Sequence, residues 1–97
     1  TADLRQQVEL EIRLALDNLH SSGDQLKVAE EGLQQAEREV AQAQRRYEAG
    51  VATSLEPIDA QTRLARARDN RIAALLAYNI ARISLAQAMG AIRQVIQ

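Results

Sequence analysis

Two carboxylates, Glu56 and Asp59, come closest to a chemical site. They stand three positions apart, so on a helix they share one face. A carboxylate in the first turn of a helix also stabilises the helix by about 0.3–1 kcal/mol through its interaction with the helix dipole. This interaction suffices to explain an acidic residue at position 56 and explains one at position 59 less well. The only histidine, His20, lacks cysteine or clustered carboxylate neighbours at ligand spacing, and Ser21 and Ser22 have no nearby base in the sequence. We therefore expect no catalytic residue, no metal, no cofactor and no enzymatic activity.

Four arginines in the second half of the chain raise the question of nucleic-acid binding: Arg63, Arg66, Arg68 and Arg71. They spread around a helix, no aromatic residue interleaves them, and the net charge is −1. A solvated helix face is favoured, and no nucleic-acid partner is expected. The absence of cysteine excludes disulfides and thiolate metal sites. No run approaches the roughly 18 apolar residues of a membrane span.

The elements that must position these residues are helices. Alanine and leucine dominate the chain, there are two tyrosines, and there is no phenylalanine or tryptophan. Alanine buries little area, so such a composition suits closely spaced helices better than a thick core.

Both halves carry heptads in which a small and a large apolar series alternate, as in a coiled coil. Together these residues form what we term the seam. In the first half it comprises the small series Val8, Ala15, Ser22, Ala29, Ala36 and Ala43 and the large series Ile12, Leu19, Leu26, Leu33, Val40 and Tyr47. In the second half it comprises the small series Ala60, Ala67, Ala74, Ala81, Ala88 and Val95 and the large series Leu64, Arg71, Tyr78, Leu85 and Ile92. We expect the stem of Arg71 to lie along the seam while its guanidinium reaches solvent.

Two matched seams joined by a short turn predict an all-α fold, a long antiparallel helical hairpin that is part of an α-helical barrel or bundle. We expect one unit over residues 1–97, with a helix over about 2–49, a tip turn over about 50–54 and a helix over about 55–96. Gly23 and Gly32 interrupt the first helix without breaking the heptad phase, which indicates a bend or close packing. Further apolar residues lie off both seams, so the hairpin requires neighbours.

The turn contains residues that typically end one helix and start the next. Gly50 supplies the left-handed residue that ends the first helix. Either Thr53 or Ser54 caps the second helix. Thr53 with Glu56 fits a capping box, whereas Ser54 places Pro57 in the first turn, where proline is tolerated, and is favoured for that reason.

The stretch "RRYEAGVATSLEPIDAQTRLARARDNRIAALLAYNIARISLAQAMG", residues 45–90, resembles the outer membrane efflux protein family, the TolC-like channels of Gram-negative bacteria. The resemblance rests on Arg46, Tyr47, Gly50, Thr53, Asp59, Ala60, Gln61, Leu64, Ala67, Ala77, Tyr78, Ala81, Leu85, Ala88 and Gly90. The first half resembles the preceding helix of the family, with less specific motifs.

The resemblance implies a periplasmic helical hairpin of an outer-membrane efflux or secretion duct. In the family, three protomers form a tunnel, and the hairpin ends face a periplasmic adaptor (membrane fusion) protein and an inner-membrane pump. Its contact with the membrane is made by barrel strands, which no segment here resembles, so the chain is expected to be a fragment of a larger protein. The alternative is a structural coiled-coil hairpin that self-associates into a helical bundle.

Residue roles follow from the resemblance at the tip. The expected adaptor-docking residues are Arg46, Gly50, Val51 and Thr53, and the expected residues of an entrance ring or gate are Tyr47, Glu56 and Asp59. For Tyr47 a terminal core position with a wet hydroxyl is the favoured alternative. Well-known family members carry an arginine two residues after the glycine, where this chain has Ala52, so a gate held by a salt bridge from that position is not expected.

Overall fold

The computed structural model describes residues 2–96, and the side chains of residues 3–94. It contains two helices, α1 (Ala2–Glu48) and α2 (Leu55–Ile96), which pack against each other along their whole length as an antiparallel hairpin. The rod measures 73 × 14 × 13 Å, and the described residues include no strand. The predicted all-α hairpin is confirmed.

The seam is where the two helices meet. The most buried side chains of the described residues all belong to it: Val8, Ser22, Ala36, Ala43, Ala60, Leu64 and Ala81. Ala60 and Ala81 have no exposed surface at all. The other described seam residues are half-buried, with one exception, and the side chain of Val95 lies outside those described.

Tyr47 is the exception, because its side chain is 46% exposed. The large series therefore ends at Val40 within the hairpin. The prediction of a core position for Tyr47 is wrong, since α1 ends one residue later and the turn leaves no partner helix above the ring.

The two glycines inside α1 have different surroundings. A Cβ atom on Gly23 would lie 3.4 Å from Cε1 of Tyr78, at the short limit of ordinary contact, so the aromatic ring packs against α1 at Gly23. No atom lies within 4 Å of the corresponding point on Gly32. The first glycine therefore lies at a close helix–helix contact, and the second does not.

A second apolar face runs along α2. The outer stripe, as we term it, consists of Ile58, Ala65, Ile72, Leu76 and Ile83, all exposed. Each of its residues stands two positions before a seam residue, which at 100° per residue places the stripe about 160° around the helix from the seam. The hairpin thus buries one face of α2 and leaves the opposite face open.

By length and composition alone, α2 is also able to cross a membrane. Its most apolar 18-residue window has a mean hydropathy of 1.3, and 6% of that window is buried. This is weak evidence for a span, because Asn79 and Arg82 interrupt the apolar stretch.

Candidate functional site

The chain reverses through a Schellman motif centred on Gly50, whose φ is +75°. The Gly50 N–H donates to the Tyr47 carbonyl at 3.0 Å, and the Val51 N–H donates to the Arg46 carbonyl at 3.1 Å. These bonds satisfy carbonyls that the end of α1 leaves without helical partners. Glycine is required because a left-handed backbone is costly for residues with a Cβ atom. The turn is thereby fixed by backbone geometry, and its side chains are free for other contacts.

The second helix starts directly after Ser54, at Leu55. Pro57 is the third helical residue, in the first turn, where no helical partner awaits its missing N–H. The Glu56 N–H donates to the backbone carbonyl of Thr53 at 3.3 Å, whereas the Glu56 carboxylate contacts another residue. Ser54 is therefore the residue before the helix, as favoured. The predicted capping box does not form, because the Glu56 N–H bonds the Thr53 carbonyl and the Glu56 carboxylate bonds Arg46.

The carboxylate of Glu56 binds Arg46 across the hairpin. The Nε–H of Arg46 donates to Oε2 of Glu56 at 3.0 Å, and Nη2 donates to Oε1 at 3.5 Å. The two side chains are 47% and 45% exposed, so the pair is worth at most about 1 kcal/mol. This bidentate pair, the tip clamp, joins the last turn of α1 to the first turn of α2.

Two further ion pairs cross the hairpin below the tip clamp. Nε of Arg63 lies 3.2 Å from Oε2 of Glu39, and Nη2 of Arg71 lies 3.8 Å from Oε1 of Glu30. In these two pairs the glutamate is on α1 and the arginine on α2, whereas in the tip clamp the arginine is on α1 and the glutamate on α2. Arg71 is half-buried at the seam, and its guanidinium meets a carboxylate as well as solvent.

A shallow polar depression lies between the helices beside the tip. Its lining consists of Glu39, Gln42, Ala43, Arg46, Glu56, Asp59 and Arg63. Glu39 and Glu56 each have an arginine partner. Of the three carboxylates in this described lining, Asp59 is the one without an ion pair, so the depression keeps one uncompensated negative charge.

All seven predicted site residues lie at this end of the rod, and all are exposed: Arg46, Tyr47, Gly50, Val51, Thr53, Glu56 and Asp59. The structure joins Arg46 directly to Glu56, two residues to which the sequence analysis gave separate roles. That contact was readable from the sequence. Arg46 and Glu56 stand five residues on either side of Val51 in the turn, so reversal of the chain there brings the two opposite charges together.

The remaining chemical candidates are simple surface features. Nδ1 of His20 lies 3.5 Å from Oδ2 of Asp24, four residues on, and both side chains are exposed. Within residues 2–96 no three His, Cys, Asp or Glu side chains are arranged to hold a metal ion. The tip is the part of the described chain where charged residues, a special backbone conformation and exposed apolar side chains coincide.

Comparisons with known proteins bear on the whole chain. The family model described as outer membrane efflux protein matches residues 2–91. Comparison with curated proteins and comparison with solved structures each gave no significant match. Because the match covers both helices and the tip, the chain belongs to the outer membrane efflux protein family.

Proposed function

We propose that this chain is a tunnel-forming hairpin of an outer-membrane efflux duct and that its tip docks against a periplasmic adaptor protein. The family is one of efflux channels and not of enzymes. The observation that carries the proposal is the outer stripe of α2, because it gives α2 a second face for helix packing.

The position of the outer stripe suits a ring of helices. A helix in a large closed ring contacts its two neighbours on nearly opposite faces. The seam and the outer stripe lie about 160° apart on α2, so α1 covers one side and the other side is free for a helix from another hairpin. Ile72 and Leu76, at the middle of the stripe, are 63% and 60% exposed in the single hairpin.

The tip suits a small, repeated contact. Val51 is 64% exposed although its backbone N–H is held in the turn, so its side chain is presented on a fixed backbone. Gly50 and Thr53 belong to the same turn, and Arg46 lies in the last turn of α1 before it. A contact of this size is weak for one hairpin and becomes useful when several tips engage around a ring.

For the entrance ring, the charges of the tip favour Asp59 over Glu56. Arg46 compensates the Glu56 carboxylate through the tip clamp, whereas Asp59 has no ion pair among the described residues. Tyr47 follows Arg46 in the chain, is exposed, and is proposed to take part in the gate. In this proposal each hairpin contributes one free carboxylate, from Asp59, to the tunnel mouth.

The proposed setting is the periplasmic portion of an outer-membrane protein in a Gram-negative bacterium. A homotrimer of longer chains would supply the hairpins that close the ring. The adaptor would connect their tips to an inner-membrane pump. The single hairpin, with no neighbours on its outer stripe, encloses no tunnel.

The test uses the full-length protein in its native membrane. Leu76→Gln, on the outer stripe, is expected to reduce both the yield of assembled oligomer and efflux. Arg68→Gln introduces the same side chain two turns away at an exposed position and is expected to leave both unchanged. Native gels and drug-susceptibility assays read the two quantities. Full assembly and full efflux with Leu76→Gln would exclude the outer stripe from the ring.

A further inference from the structure

The outer stripe is part of a heptad repeat along α2. When two copies of this repeat are set antiparallel, their residues complement each other. Between and beyond the apolar residues of the stripe, the same heptad positions hold Thr62, Asp69, Asn79, Ala86 and Gly90, all exposed. We propose that the chain pairs with a second copy of itself through this face of α2, antiparallel, in the register that sets Ile72 beside Leu76 of the second copy.

In this register the large side chains outside the two central layers face small ones. Ile72 meets the second copy's Leu76 in the two central layers, which the two-fold symmetry makes equivalent. Ala65 meets Ile83, and Ile58 meets Gly90, so each remaining large residue of the stripe faces a residue that leaves room for it. Such alternation lets facing helices approach closely and fill the space between them.

The polar residues of this face favour the proposed register over registers shifted by one heptad. In the proposed register Asp69 faces Asn79 of the second copy, whose amide is able to donate a hydrogen bond to the carboxylate. A shift by one heptad sets Asp69 against Ala86 or against Ile72, and burying a carboxylate without a partner is costly. The hydroxyl of Thr62 already donates to the carbonyl of Ile58 at 3.1 Å, so that side chain offers its methyl group to the interface.

The area of the hairpin also argues for a partner. Its accessible surface is 7288 Å², whereas a compact monomer of this mass exposes about 5,500 Å². The excess of this one chain is about twice the ~800 Å² that each partner contributes to a standard stable interface. The ten heptad positions from Ile58 to Gly90 extend over about 48 Å of helix, which is long enough to cover an interface of that size.

This dimer is a property of the chain described here and does not rest on the tunnel proposal. In a tunnel the outer stripe would face a helix of a neighbouring hairpin that points the same way along the duct. In the proposed dimer the two hairpins point in opposite directions. Assembly of the full-length protein and dimerisation of this chain are separate measurements, so either proposal is able to fail without the other.

Sedimentation of the chain at concentrations up to about 100 µM tests the interface. We expect a dimer, and we expect Ile72→Gln to weaken it by roughly tenfold or more. Val28→Gln on α1 is the matched control, because both residues are β-branched and similarly exposed, at 63% and 67%. A monomeric wild-type chain, or an equal loss with both variants, would overturn the proposal.

Disulfide trapping tests the register, since the chain has no cysteine of its own. A mixture of Ala65→Cys and Ile83→Cys chains is expected to give predominantly the mixed disulfide under mild oxidation. A parallel pairing would instead join Ala65→Cys chains to one another, and that result would overturn the proposed register.

Charged substitutions at position 79 give a second test of the same register. Asn79→Lys is expected to strengthen the dimer several-fold, because the lysine would face Asp69 of the second copy. Asn79→Asp is expected to weaken it, because two carboxylates would face each other. Weakening by both variants would indicate that position 79 faces itself, as in a parallel pair, and would contradict the proposal. Circular dichroism of each variant checks that the hairpin remains helical.

Discussion

At the scale of single residues, the turn depends on backbone conformation at one position. Gly50 has a φ of +75° with no atom within 4 Å of where its Cβ would be, so the demand there is conformational and not steric. Gly32 has the same open surroundings with a helical backbone. A side chain would fit at either position, but it would strain the left-handed backbone at Gly50 and suit the helical backbone at Gly32.

Replacing each of these glycines by alanine should change stability in opposite directions. Gly50→Ala is expected to lower the free energy of unfolding by about 1–2 kcal/mol, the cost of a left-handed alanine. Gly32→Ala is expected to raise it by about 0.5–1 kcal/mol through helix propensity. Thermal melts at one fixed protein concentration compare them. Changes of the same sign would show that the turn is not held in the left-handed region.

The tip clamp should be a weak, salt-dependent link. A double-mutant cycle with Arg46→Gln and Glu56→Gln is expected to give a coupling energy of about 0.2–1 kcal/mol, because both side chains are about half exposed. The cycle cancels the separate interaction of each charge with the dipole of its own helix. The coupling should shrink in 1 M salt, where the screening length is about 3 Å. No coupling at low salt would contradict the clamp.

At the scale of the helices, the sequence predicted what periodicity controls and missed what depends on the tip. The heptads located the buried residues because Ala60, Leu64 and Ala81 repeat with the period of a coiled coil. Periodicity carried no information on where the seam stops, so Tyr47 was placed in a core that ends before it. The tip clamp was missed because Arg46 and Glu56 were each considered on their own helix, although opposite charges at facing positions gave the signal.

The ion pairs also favour one alignment of the helices. Glu30 and Glu39 on α1 meet arginines of α2, and Arg46 on α1 meets a glutamate. Sliding one helix by a turn would separate these charges and would also move small seam residues away from large ones. Charge and size thus support the same register, although the exposed pairs add less energy than the packing.

The closeness of the seam can be tested by enlarging one alanine. Ala81→Leu is expected to cost about 1–3 kcal/mol, because Ala81 has no exposed surface and the added atoms must displace α1. Ala77→Leu makes the identical change one turn earlier on the same helix at an exposed position and should be nearly neutral. Chemical denaturation reads both, and equal effects would argue against the assigned contact surface.

At the scale of the whole molecule, the hairpin is a rod that leaves much of its surface available to other chains. Its radius of gyration is 21.4 Å, against about 12.5 Å for a compact domain of this length. A seam rich in alanine buries little area per residue, while ordering each residue costs about 1.5 kcal/mol. Both facts support the proposal that the outer stripe packs against another chain.

At the tip, a substitution of Val51 best distinguishes a role in docking from a role in folding. Replacing Gly50 would disturb the turn itself, whereas the Val51 side chain is 64% exposed and its contribution to the turn is a backbone N–H that any non-proline residue keeps. In the full-length protein, Val51→Glu is therefore expected to leave oligomer assembly unchanged. Efflux and crosslinking to the adaptor are expected to fall at least tenfold, because one desolvated carboxylate would be repeated at every tip of the ring.

Ala41→Glu is the control for this change. It adds the same charge at an exposed position of α1, about two helical turns before the tip, where the docking proposal assigns no contact. Assembly is measured on native gels beside drug susceptibility and adaptor crosslinking, so that a folding defect is seen separately. If Val51→Glu assembles, still exports and still crosslinks as Ala41→Glu does, the tip serves only to reverse the chain, and the duct must meet its adaptor through another surface.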